Sequence, residues 1–274
     1  MSETAEGDYV LGTGEVEIER LGLQHRVWRP RALDAWRRAG FTVGQTLLDV
    51  GCGPGWATLD LAEMVGRTGR VVAVDRSPRF LDALRTTAAA RGLANVEVHA
   101  RDLGVDPLPD VRADGAWCRW VLAFVPRPRE LLARMAAALK PGGVMVVHEY
   151  FDYRTWRLTP RCPELEEFVA AVMESWRADG GEPDIALDLP RWMAELGLRV
   201  TSLRPIVDVV PPENHVWQWP AAFIRSGLDR LVELGRMDAG RAESIAAAIA
   251  RAEATPHTLM ITPAVLEIIA TREP

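Results

Sequence analysis

Three alternating glycines, Gly51, Gly53 and Gly55, follow the apolar run Thr46 to Val50 and precede a helix-forming stretch from about Ala57 to Val65. An apolar run that stops at such a loop reads as a buried parallel strand feeding a helix. Glycine lacks a Cβ, so the backbone turns sharply there and a ligand can approach it closely. The helix start adds unpaired N–H groups and a positive dipole end. The combination suits a carboxylate or a phosphate. Asp49, Gly51, Cys52, Gly53, Gly55 and Trp56 are therefore candidate ligand residues. The spacing is not that of a dinucleotide fingerprint, because Trp56 stands where the third glycine would be, and the absence of a nearby lysine rules out a Walker loop.

Further polar groups fall at the ends of later apolar runs. Arg70 to Asp75 reads as a second strand ending in Asp75-Arg76, and a carboxylate about 20 residues past the glycine loop is placed to accept from a ribose diol. Val96 to Ala100 is a third strand that delivers Asp102 and Leu103. Ala113 to Val121, the fourth, carries Cys118, Arg119 and Trp120, with Arg119 either an anion ligand or a salt-bridged structural residue. The fifth, Val144 to Tyr150, ends in His148, Glu149 and Tyr150. His148 and Glu149 are candidate general bases, although strand alternation turns at least one of them toward a flanking helix. Trp120, Tyr150, Tyr153 and Trp156 are candidate walls for a flat or apolar substrate.

The run Leu48-Asp49-Val50-Gly51-Cys52-Gly53-Pro54-Gly55 resembles the first motif of the class I S-adenosylmethionine (SAM)-dependent methyltransferases. The passage from Arg119-Trp120-Val121-Leu122 to Leu139-Lys140-Pro141-Gly142-Gly143 is similar to the small-molecule members akin to the ubiquinone and menaquinone biosynthesis methyltransferases. The leader Tyr9-Val10-Leu11-Gly12, Glu19-Arg20-Leu21 and Gln24-His25 resembles a bacterial branch in which it contributes to the cofactor pocket, making Tyr9, Gln24 and His25 candidates. The resemblance implies SAM as cofactor, S-adenosylhomocysteine (SAH) as product, and Asp102 with the Leu103 N–H on the adenine edge. It also implies a doubly wound, Rossmann-like α/β sheet of seven strands, order 3-2-1-4-5-7-6 with the seventh antiparallel. The Asn/Asp/Ser-Pro-Pro-Tyr/Phe motif of nucleic-acid amino-methyltransferases is replaced here by Cys118-Arg119-Trp120-Val121.

The elements that must position these groups fill one domain, residues 1–274. A helical leader (1–44) precedes a cofactor-binding core (45–150) and a substrate-side half (151–274) with a helical insertion at 211–256. The leader reads as two helices, Glu15 to Leu23 and Pro30 to Ala39, the second opened by a proline. Helices are expected at Pro163 to Ala178 and Leu189 to Leu196, a sixth strand at Arg199 to Val210, and a seventh at His257 to Thr271, kinked at Pro263. In the insertion, Trp217, Trp219, Phe223 and Leu228 either line an acceptor pocket or pack on the sheet, packing being the commoner outcome. With 274 residues, 48% of them hydrophobic, the chain can bury a full core. A net charge of −6 argues against a nucleic-acid partner. Three widely spaced cysteines suggest neither disulfides nor a metal site, and no apolar run is long enough to span a membrane. The expectation is a cytoplasmic monomer or homodimer acting on a small molecule. A macromolecular acceptor and a non-catalytic SAM-binding regulator remain alternatives.

Overall fold

The computed structural model describes residues 14–274, so Tyr9 lies outside the described residues. Its central sheet has seven strands: β1 (Thr46–Val50), β2 (Arg70–Asp75), β3 (Val96–Ala100), β4 (Ala113–Arg119), β5 (Leu139–Asp152), β7 (Leu198–Ile206) and β10 (Ala264–Arg272). The order is β3-β2-β1-β4-β5-β10-β7, and β10 runs antiparallel to both neighbours. This is the expected topology. The inner strands β1 and β2 are almost continuously buried, as a parallel sheet covered on both faces requires.

The helices are α1 (Glu15–Arg38), α2 (Trp56–Val65), α3 (Pro78–Ala90), α4 (Pro128–Ala138), α5 (Pro163–Ala178), α6 (Leu189–Glu195), α7 (Gln218–Glu233) and α8 (Ala239–Glu253). α3 starts as its sequence dictates, with the Ser77 side chain accepting from the Phe80 N–H and Pro78 in the first turn.

The leader departs from expectation. It forms one helix that passes through Pro30 without ending. Proline inside a helix costs about 3 kcal/mol. Downstream of it Ala32, Ala35 and Trp36 are buried, as is Trp28 before it, and each large apolar side chain so buried contributes roughly 1.5–3 kcal/mol. Burial on both sides of the proline outweighs the lost hydrogen bond.

Two further differences lie in the strands. β5 begins at Leu139 rather than Val144, with the Lys140 to Gly143 segment absorbed as an irregularity in its pairing with β4; Gly142, at φ +79°, supplies the required left-handed turn. The single strand expected across Pro263 is split, because proline cannot donate to a ladder. Its first part, β9 (Leu259–Ile261), joins β6 (Arg157–Thr159) and β8 (Val209–Val210) in a small second sheet, order β6-β9-β8. The same division ends the sixth strand at Ile206. That small sheet, α5, α7 and α8 enclose an aromatic-rich core on the substrate side.

The leader is seated on β4 through Phe41, whose ring would lie 2.3 Å from a Cβ at Gly115. We expect Gly115→Ala to lower stability by about 1–3 kcal/mol through overpacking, seen as a lower urea midpoint at unchanged denaturant slope.

Candidate functional site

The glycine loop leaves β1 and is tied to the end of β2. The N–H groups of Gly51 and Cys52 donate to the Val74 carbonyl at 2.8 and 3.0 Å. The Gly53 N–H donates to Asp75 Oδ2 at 2.9 Å, and the Ser77 N–H to Asp75 Oδ1 at 2.9 Å. Asp75 thus joins the loop to the turn before α3 while each oxygen keeps a second lone pair. Burial pushes its carboxyl upward, against the pull of these backbone donors. Gly51 (φ +70°) has no room for a side chain, since a Cβ would sit 2.2 Å from Val121 Cγ2. Gly55 takes φ +87° as the residue capping α2.

Beside this loop lies a cavity of about 170 Å³, lined among others by Asp49, Cys52, Trp56, Arg76, Asp102, Leu103 and Arg119. Asp49 is buried and accepts from Thr58 Oγ1 at 2.6 Å; burial pushes its carboxyl up to about 7. Asp102 Oδ1 accepts from the Gly104 N–H at 2.8 Å, and the Leu103 carbonyl accepts from Arg134.

Arg119 occupies the floor. Its Nη2 meets His25 Nδ1 at 3.2 Å, and His25 Nε2 meets Asp60 Oδ2 at 3.0 Å. Burial holds the His25 pKa below its ordinary value. The neutral ring then donates from Nε2 to Asp60 and accepts from Arg119 at Nδ1. Asp60 also accepts from Arg29 Nε at 2.7 Å. The Arg119 guanidinium carbon lies 5.1 Å from the Trp120 ring centroid. Burial lowers its pKa to about 10, still charged at neutral pH, and its Nη1 has no hydrogen-bond partner among the described residues.

Trp120 joins this cavity to a second, smaller one of about 40 Å³; Gln24, Trp120 and Phe124 line both. Trp120 has φ +53°, a left-handed conformation that a bulky residue adopts only under constraint. The constraint is visible. The Trp120 N–H donates to the His148 carbonyl at 3.0 Å. The next two N–H groups, of Val121 and Leu122, both donate to Glu149 Oε1 at 2.7 Å.

This arrangement corrects the assignment of His148 and Glu149 as candidate bases. Both are fully buried and neither lines either cavity. His148 Nε2 meets Glu267 Oε2 at 3.1 Å, and its ring lies against Trp117 and Trp28. Glu267 in turn accepts from Arg38. Glu149 spends its carboxyl oxygen Oε1 on the turn that carries Trp120. Strand alternation predicts that at least one of the two faces away; in the structure both are committed to packing.

The family described as "methyltransferase domain" matches residues 47–143. That match runs from β1 into β5, about a third of the chain. The demethylmenaquinone methyltransferase of Geobacillus stearothermophilus is 35% identical over 127 residues, 46% of this chain and 53% of that protein. The ubiquinone/menaquinone biosynthesis C-methyltransferase UbiE of an Enterobacter species is 31% identical over 168 residues, 56% of this chain and 63% of that protein. The chain thus spans less than two thirds of the length of these relatives. Among solved structures, the YcgJ protein of Bacillus subtilis aligns with a TM-score of 0.60 at 13% identity, over 91% of this chain and 99% of that one. A coclaurine N-methyltransferase bound to N-methylheliamine and SAH aligns at 0.56 and 15%, over 89% and 72%. At such identities the likeness is one of fold. The chain resembles the class I SAM-dependent methyltransferases of the UbiE group.

In the structure the expected residues Asp49, Gly51, Cys52, Gly53, Trp56, Asp75, Arg76, Asp102, Leu103 and Arg119 converge on the first cavity, and Gln24 and Trp120 line both cavities. Tyr150, Tyr153 and Trp156 line the second. Gly55 and Cys118 line neither; Gly55 shapes the loop, and Cys118 is buried in the sheet. Trp219 and Phe223 of the insertion reach the second cavity, whereas Trp217 and Leu228 are buried in the core around it. Leu21, Phe80 and Trp176 were not singled out from the sequence, because nothing in their spacing separates a cavity wall from core. Asp60, which orients His25, lies 35 residues from it and carries no local signal.

Burial raises the Glu149 pKa from 4.5 to about 8. Between those values the folded state keeps a proton that the unfolded chain has released, so the contribution of Glu149 to stability falls as pH rises through that window. Glu149→Gln keeps an oxygen acceptor for the two N–H groups and has nothing to ionise. We expect its stability relative to wild type to increase from pH 5 to pH 8.5 by at least about 1 kcal/mol, roughly one pKa unit's equivalent, measured as urea midpoints at the two pH values.

Proposed function

We propose that the protein is a SAM-dependent methyltransferase that passes the sulfonium methyl group to an oxygen, nitrogen or carbon atom of a small-molecule acceptor. The observation that carries this reading is the pair of adjacent cavities: a polar one beside the glycine loop, and an aromatic one that shares Gln24, Trp120 and Phe124 with it. The first fits a nucleoside carrying an amino-acid tail. A carboxylate, Asp75, stands at the end of β2 for the ribose hydroxyls. Asp102 and the Leu103 backbone stand across the cavity for the adenine edge. The glycine loop and the charged Arg119, with its unpartnered Nη1, suit the carboxylate end of the tail.

SAM supplies an already activated methyl group, so the residues here act by alignment and by exclusion of water. Gln24 and Trp120 sit where the two compartments meet and would hold the acceptor in line. Trp120, fixed in its turn by Glu149, would close the junction against solvent. The small size of the second compartment and the acidic net charge favour a small acceptor over a nucleic acid.

Isothermal titration with SAM and SAH tests the reading on protein freed of carried-over cofactor. We expect both to bind, with SAH at least as tight as SAM. Asp75→Ala should weaken SAH about tenfold or more, and Arg119→Leu should do the same through the tail carboxylate, each the equivalent of about 1.4 kcal/mol. No binding by the folded wild-type protein would end the methyltransferase reading. Unchanged SAH affinity in a folded Asp75→Ala variant would end the ribose assignment alone.

A further inference from the structure

Resting on the methyltransferase reading above, the walls of the second cavity narrow the class of acceptor. Trp120, Tyr150, Tyr153, Trp156, Trp176 and Trp219 are among its lining residues. Trp120, Tyr150 and Trp219 lie within 17° of parallel. Tyr153 stands at 87° to Tyr150 with ring centroids 4.8 Å apart, and Trp156 stands at 88° to Tyr153. The rings therefore form a box with walls in two perpendicular directions.

A flat acceptor ring needs a slot. Sandwiching one between parallel rings requires them to stand about 7 Å apart, twice the optimal carbon contact distance. The near-parallel pairs have centroids only 5.5 to 6.5 Å apart, and they contact one another. The cavity, at about 40 Å³, is also well below the ~150 Å³ of an apolar cavity that holds benzene. It admits a compact group of a few heavy atoms.

Charge and acid–base chemistry point the same way. Among its described lining residues the box has no carboxylate and no imidazole. Burial pushes the Tyr153 phenol far above its ordinary pKa, leaving it a neutral wall. A hydroxyl or carbon acid would find no carboxylate or imidazole there to take its proton, whereas an alkylammonium releases its proton to water before it binds and the neutral amine then attacks through its own lone pair. The cation in the lining, Arg20, is bound bidentately by Glu17 at 2.7 Å from both Nε and Nη2, so that pair adds no net charge. Aromatic faces stabilise a cation with little hydration of its own, an alkylated ammonium above all.

We propose that the second cavity is a cation box for the alkylamine head of the acceptor, and that the reaction is N-methylation. The nitrogen lone pair forms the new N–CH3 bond as the C–S bond breaks, its electron pair staying on sulfur to give SAH. The positive charge moves from sulfur to nitrogen and into the box. A primary or secondary amine then loses a proton to water; a tertiary amine leaves as the quaternary ion. Stabilisation that grows as charge arrives on nitrogen accelerates transfer rather than merely tightening substrate binding.

The test is titration of the SAH-saturated protein with choline and with its uncharged isostere 3,3-dimethylbutan-1-ol, which match in shape and differ in charge. We expect choline to bind about tenfold more tightly. Trp219→Leu and Tyr153→Leu, residues that line only this cavity, should each remove most of that preference while SAH affinity, the check on folding, stays unchanged. Equal binding of the two probes, tighter binding of the neutral one, or no binding of either to a protein that holds SAH normally would overturn the cation box and leave the methyltransferase reading standing. Failure of SAH itself to bind would overturn both.

Discussion

The site depends on one buried carboxyl group. Glu149, at the end of β5, accepts the N–H groups of Val121 and Leu122 and so holds the turn after β4. That turn carries Trp120 in a left-handed conformation. Such a conformation costs of order 1–3 kcal/mol in a residue other than glycine, and it persists because two hydrogen bonds to a single oxygen and one to the His148 carbonyl determine it from the adjacent strand. Its result is positional. Trp120 is aimed across the crevice, where it packs at 5.0 Å edge-on to Trp28 of α1 and stacks with Tyr150 and Trp219. The polar and aromatic compartments meet at that ring.

The same strand end explains why residues with the chemistry of bases are not placed as bases. His148 faces Trp28, Trp117 and Glu267, and Glu267 is shared with Arg38 at the end of α1. Two adjacent ionisable residues therefore serve opposite faces of the sheet, one fixing the leader helix and the other the Trp120 turn. Electrostatic work at the cavity falls instead to Arg119, oriented by the neutral His25 ring, which Asp60 of α2 holds in place. The leader helix thus contributes to the site twice, through His25 behind Arg119 and through Gln24 at the junction.

The aromatic core of the substrate side illustrates how weakly composition speaks about cavities. Ten tryptophans in the chain are compatible with core, with pocket and with both. Trp36 and Trp117 pack at right angles beneath the leader, while Trp219 and Trp176 reach the second cavity. Nothing in local spacing distinguishes these fates, because each residue obeys the same tendency to leave water. Only the approach of α7 and of the small second sheet decides which rings face one another across a gap.

The sequence alone determined the parallel core: apolar runs of strand length, each closed by glycine, proline or a capping serine, with polar residues at the strand ends where an open α/β sheet binds its ligand. That Gly51, Gly53 and Asp75 line one cavity was legible because local backbone geometry and fixed spacing put them at the strand ends, and that Asp102 lines it was legible from the resemblance. The continuity of the leader through Pro30, the splitting of the last strand at Pro263, the removal of His148 and Glu149 from the cavities and the pairing of Asp60 with His25 were decided by tertiary structure. Each depends on a partner far away in the chain: buried Trp36, Ile261 paired with Arg157 and Val209, Glu267 across the sheet, α2 against α1. Burial and long-range pairing override local preference wherever their free energy exceeds its cost of one to three kilocalories per mole.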